Sequence, residues 1–185
     1  MICLEYVPTY DELNNYYGDP DFEPGEPDPS FMAEHSIRIA LPFGMKLSWK
    51  PKVHTLYIRI HRRIAEAVKD ALQEIKDYKG PSYVMDKGYN YFGGTYSYRL
   101  TRGGDVLTTH AWCVAIDMNP HLAPYRRKDN EGNWINRQPE FITNAFLKRG
   151  FVTFVHDGMH FQAVMSLSKS AVYYGDVIGK INGGG

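Results

Sequence analysis

Cysteine is scarce in this chain: 185 residues contain only Cys3 and Cys113. Two are too few for a disulfide scaffold and lack the spacing of a metal knuckle, so both are expected as reduced thiols. Long apolar runs are missing too. None approaches the roughly 18–20 residues that a membrane-spanning helix needs. The start, Met1-Ile2-Cys3-Leu4-Glu5, lacks the basic region and apolar stretch of a secretory signal. Synthesis in the cytoplasm and no membrane partner are therefore expected. There is no internal repeat, and ordinary apolar (43%) and charged (23%) fractions argue against a disordered, coiled-coil or collagenous chain. One compact domain, monomeric, is the expectation.

Positive charge is locally absent. Residues 1–37 hold no Lys or Arg but nine carboxylates, Glu5 to Glu34, which leaves 21 bases against 12 acids in the rest of a chain whose net charge is zero. A basic body thus carries an acidic arm. Cell-wall polymers, nucleic acid and anionic lipid all attract such a body, so charge alone does not choose among them. Nucleic acid finds no recognised motif here and is not expected as a partner. Within the arm, residues 18–29 alternate proline, glycine and acid. That pattern forbids helix and gives little to bury, which predicts an extended loop or tether. The predicted organisation is an acidic Pro-rich arm over 1–37, a single domain over 38–180 and a flexible tail over 181–185.

Regular elements fill the body. Tyr57, Ile60, Ile64, Val68, Leu72 and Ile75 recur every three or four residues, which predicts a helix over 48–78, stopped by Lys79-Gly80-Pro81. Short strands and turns are expected over 82–109, where Gly88, Gly93-Gly94 and Gly103-Gly104 interrupt a Tyr-rich stretch. Trp112, Val114, Ile116 and Met118 alternate with Cys113, Ala115 and Asp117, the pattern of a strand with one packed and one open face. A second helix is predicted from Pro139 to Gly150. Two strands, 151–155 and 159–165, are predicted to form a hairpin about Asp157-Gly158. The elements sum to an α+β domain.

Two imidazoles and a carboxylate stand beside these strands: His110 and Asp117, seven residues apart, and His160 in Asp157-Gly158-Met159-His160-Phe161. Two histidines and one acid can occupy three corners of a tetrahedral zinc and leave the fourth to water, the arrangement of a hydrolytic site. His110 has the wrong parity for the open strand face, so it must reach the ion from the turn before the strand. Asp157, three residues ahead of His160, is placed as a general base. A fixed cation is needed opposite that base, with Arg99 the nearest candidate and Arg102 the second.

The stretch from Gly94 to Pro120, followed by 157–161, resembles the zinc D-alanyl-D-alanine carboxypeptidase and L-alanyl-D-glutamate peptidase family of cell-wall enzymes. The vancomycin-resistance dipeptidases and several bacteriophage endolysins are related. The family pattern Ser-x-His-x-x-Gly-x-Ala-x-Asp, then an acid and x-x-His, is met by Thr108, His110, Cys113, Ala115 and Asp117, then Asp157 and His160. Cys113 stands where the family has glycine. The resemblance implies one zinc ion held by His110, Asp117 and His160, Asp157 as catalytic acid/base, and Arg99 on the substrate carbonyl or carboxylate. Arg102, Thr108 and Trp112 are expected to touch substrate. It also implies a small antiparallel sheet carrying the zinc, packed against a few helices, as in hedgehog and D-Ala-D-Ala peptidase domains. The implied activity is hydrolysis of an amide in the peptidoglycan stem peptide, with the L-Ala–D-Glu cut of a phage lysin favoured over a D-Ala-D-Ala cut. Such a lysin reaches the cell wall or periplasm after release from the host, or is carried in a virion. The alternative is a non-catalytic zinc domain of the same fold.

Overall fold

A computed structural model describes residues 1–175; the flexible tail expected at 181–185 lies outside them. Its main feature is a seven-stranded mixed sheet in the order β4-β3-β5-β6-β8-β7-β9. The strands are β3 (Ser36–Leu47), β4 (Lys50–His61), β5 (Tyr91–Gly94), β6 (Ala115–Met118), β7 (Val152–Phe154), β8 (Asp157–Gln162) and β9 (Ala171–Val172). β3 and β5 run parallel and the other neighbours antiparallel. The fold is α+β, as expected, but the sheet is neither small nor wholly antiparallel. The parallel pair arises because the helical segment after β4 carries the chain back across the sheet before β5.

That segment is α3 (Ala65–Asp86), whose Ala65, Val68, Ala71, Leu72 and Ile75 are buried at helical spacing. It packs against β3 and against α4 (Glu140–Leu147), which buries Ile142, Ala145, Phe146 and Leu147. Arg149, just past α4 and buried, ties the two helices together by bonding Asp70 at 2.7 Å and Glu74 at 2.8 Å.

The helix predicted from residue 48 is corrected: residues 50–61 are strand. Pro51 cannot sit inside a helix, and Val53, Thr55, Tyr57, Ile58 and Ile60 suit a pleated surface. Ile58 and Ile60 reach the core opposite Ile39 and Ile37, and beyond them only the terminal His61 is buried, so alternation is short and is mimicked by a three-residue step from Tyr57. The stop at Lys79-Gly80 is real, with Gly80 at φ 84°, but Pro81 opens a further helical turn to Asp86 where strands and turns were expected. The hairpin is also shifted. Phe154 pairs with Asp157, so Val155 and His156 form the turn and Asp157-Gly158 belongs to β8. Gly158 lets the Asn136 amide pack directly on the strand, where a Cβ would displace it.

Residues 1–37 are more than a tether. They contain α1 (Leu13–Tyr17), the small hairpin β1 (Asp21–Glu23) and β2 (Glu26–Pro27), and α2 (Phe31–His35). Leu13, Tyr17 and Phe31 are buried in the same core as the body, and the Tyr17 hydroxyl donates to the Ala163 carbonyl. A division at residue 37 therefore marks a change of charge rather than a structural boundary. The hairpin over 21–27 keeps the predicted character, lacking helix and almost wholly exposed.

Candidate metal centre

Antiparallel pairing of β6 with β8 sets Asp117 directly opposite His160, which places both side chains on one face. On the other side of β6, Gly93 of β5 lies so close that a Cβ would strike Asp117. His110 comes from a single 3-10 turn, Thr109–Trp112, immediately before the strand, as its parity required. Cys113 ends that turn in the left-handed conformation (φ 57°, ψ 31°), where its N–H returns to the His110 carbonyl. The backbone needs positive φ at this position, the conformation that glycine adopts most readily.

The three side chains converge. His160 Nδ1 lies 2.9 Å from Asp117 Oδ1, His110 Nε2 lies 3.2 Å from the same oxygen, and the two nitrogens are 3.1 Å apart. Ligands about 2.0–2.1 Å from a tetrahedral zinc stand roughly 3.3 Å from one another, so the triangle is of the right size. The outer nitrogens settle what the inner ones carry. His110 Nδ1 faces the Thr95 carbonyl at 3.2 Å, and His160 Nε2 faces Gln162 Oε1 at 3.1 Å. Gln162 is held in that sense because its Nε2 donates to the Val164 carbonyl at 2.9 Å. Both outer nitrogens must therefore donate, leaving two imidazole lone pairs and a carboxylate oxygen aimed at a common point. Such a set suits a divalent cation. Without one, burial opposes charge on His160 but the Asp117 hydrogen bond and the charges of Asp117 and Asp157 outweigh it, raising the His160 pKa. Burial alone would raise the Asp117 pKa; the histidines facing it drive the pKa well below the usual carboxylate range.

A cleft of about 610 Å³ opens over this triangle, lined by His110, Asp117, Asp157, His160, Arg99 and Arg102 among others. Asp157 is not one of the converging groups. Its Oδ1 is buried without a hydrogen-bond partner, and burial pushes its pKa up to about 6, opposed by His160, His110 and Arg102 and reinforced by Asp117. Thr108 also lines the cleft. Arg99 and Arg102 are exposed on the facing wall, Arg99 near its neighbour's carbonyl and Arg102 over the Tyr125 ring. Of the two, Arg102 is the one whose charge acts on Asp157.

Trp112 is corrected. It faces away from the cleft, buried in the core with its indole N–H donating to Asn14 at 3.0 Å and its ring edge-on to Tyr10. The strand begins only at Ala115, so residues 112 and 113 do not share the open face. Cys113 is a fully buried free thiol, 3.5 Å from the Arg59 carbonyl and pushed up to about 12 by burial, and it is not among the converging ligands. His61 is buried between Tyr17 and the Arg63 backbone.

Gln162 and Thr95 were missed. Gln162 was within reach, since it lies two residues beyond His160 on the same strand face; Thr95 acts through its backbone, which no side-chain pattern reveals. Residues 9–11, which line the cleft from the N-terminal segment, could not be placed without the fold. Compared with known proteins, the chain matches no family model, no curated protein and no solved structure.

Proposed function

We propose that the chain is a zinc peptidase that hydrolyses an amide bond of the peptidoglycan stem peptide, with the L-Ala–D-Glu bond as its target. Asp157 carries this reading. A purely structural zinc site has no use for an unligated carboxylate sharing its cleft, whereas an amide hydrolase needs one. A pKa of about 6 suits a base that must accept and return a proton near neutrality. The choice of zinc is supported by the donor set, two imidazoles and one carboxylate with a vertex open to the cleft. The stem peptide as substrate rests on the motif resemblance.

A zinc ion bound there would supply Lewis-acid polarisation of the scissile carbonyl and a lowered pKa for water. His110, Asp117 and His160 would hold it, and Thr95 and Gln162 keep the imidazole rings turned correctly. Asp157 takes a proton from the attacking water and delivers it to the departing amine, so no covalent intermediate is required. Arg102 and Arg99, on the facing wall, meet the negative charge that develops on the carbonyl oxygen or the free carboxylates of the stem peptide.

The test is incubation of zinc-loaded protein with purified peptidoglycan, with and without chelator, followed by mass spectrometry of released peptides. Release that needs zinc, falls in Asp157→Ala and exposes a new D-Glu amino terminus is expected. An Asp157→Ala protein that keeps zinc and releases peptides at the parental rate would overturn the assignment, and release of D-Ala alone would move the cut to the D-Ala-D-Ala bond.

A further inference from the structure

At the sheet edge farthest from β9, β4 has no strand on its outer side among the described residues. From Trp49 to Tyr57 every residue except Thr55 is exposed. Residues 35–65 contain seven Lys and Arg and no Asp or Glu, and two of the bases, Lys50 and Lys52, lie on this ribbon. None of them forms an ion pair with a carboxylate among the described residues. Trp49 forms the turn between β3 and β4 with Ser48 and is 62% exposed, and Leu56 is 59% exposed, with Val53 between them along the strand.

Lysine and proline on an edge strand guard against unwanted strand pairing, and Lys50, Pro51 and Lys52 serve that end. The guard does not call for an exposed Trp, Val and Leu beside them, which work against it. Nor does a soluble polyanion, which is met by charge and hydrogen bonds, give the aliphatic side chains anything to bury against. A bilayer surface uses both. Lysines are drawn to anionic headgroups, indole favours the interface, and aliphatic side chains reach the acyl boundary. We propose that the Trp49–Tyr57 edge ribbon is a docking surface for anionic lipid.

The ribbon lines no part of the cleft, so the proposal stands apart from the assigned peptidase activity. Sedimentation with phosphatidylcholine vesicles, with and without about 30 mol % phosphatidylglycerol, tests it. The protein is expected to bind the anionic vesicles only, with quenching of Trp49 by brominated acyl chains. Lys50→Glu/Lys52→Glu and Trp49→Ser/Leu56→Ser should each weaken binding about tenfold or more while keeping the parental circular dichroism. Failure to bind anionic vesicles, or full binding by Trp49→Ser/Leu56→Ser, would overturn the proposal. So would equal affinity for soluble polyuridylate, which would make the ribbon a general polyanion surface.

Discussion

On one wall of the cleft, His110 and His160 are buried, Asp117 is half-buried, and each outer ring nitrogen meets an acceptor; on the other, Arg99 and Arg102 are exposed and rest on a carbonyl and a tyrosine ring. The first wall is built from two paired strands and the turn feeding them, so its geometry is set before any ligand arrives. The second is a loop carrying two long, exposed side chains. A metal needs three donors fixed within tenths of an ångström, whereas a carboxylate can be met by long side chains from several positions. Asp157 stands between the two, on a strand of the rigid wall but acted on by the charge of Arg102.

Breaking the rigid wall should have the largest effect. Asp117→Ala removes the oxygen shared by both histidines, and complete loss of bound zinc and of peptide release is expected, measured by metal analysis and mass spectrometry. Asp157→Asn should keep zinc and lower turnover by about 10²–10⁴. The acid limb of the parental kcat/KM profile, set by a base of pKa about 6, should vanish with it. The same variant sharpens the energetics. A carboxylate raised from 3.8 to about 6 by burial favours folding below pH 3.8 and loses that contribution as pH rises through about 6. Metal-free Asp157→Asn should therefore be more stable than the parent by about 3 kcal/mol at about pH 8, with no advantage near pH 3. Denaturant titration at the two pH values reads this directly.

Smaller effects probe the layer behind the ligands and the facing wall. Gln162→Leu leaves all three donors in place but frees the His160 ring, and a zinc affinity lower by about 10–100-fold is expected in a chelator competition. Arg102→Ala should raise KM and move the acid limb to higher pH, because the cation that steadies the Asp157 carboxylate is gone; Arg99→Ala should raise KM without moving the limb. Trp112→Phe should cost about 1 kcal/mol of stability through the lost hydrogen bond to Asn14, and leave KM unchanged.

The rigid wall was legible in the sequence because its chemistry lies in a short spacing, His110 to Asp117 and Asp157 to His160, on strands whose alternation could be read. The rest failed for physical reasons. Trp112 looked like a strand residue because its spacing to Val114 continues the alternation, although the chain is still in a 3-10 turn there. β4 looked helical because an edge strand buried only at Ile58, Ile60 and the terminal His61 shows too little alternation to compete with a coincidental helical step. Nine carboxylates hid the fact that Leu13, Tyr17 and Phe31 belong to the core. The lesson is that charge composition reports the solvent side of a segment and says little about its buried side.

X-ray absorption at the zinc edge of the loaded protein tests the central claim most directly. Nitrogen and oxygen atoms at about 2.0–2.1 Å with the scattering pattern of two imidazoles, and no sulfur at about 2.3 Å, are the predicted result. A sulfur neighbour, fewer than two imidazoles, or a protein that retains no zinc would contradict it.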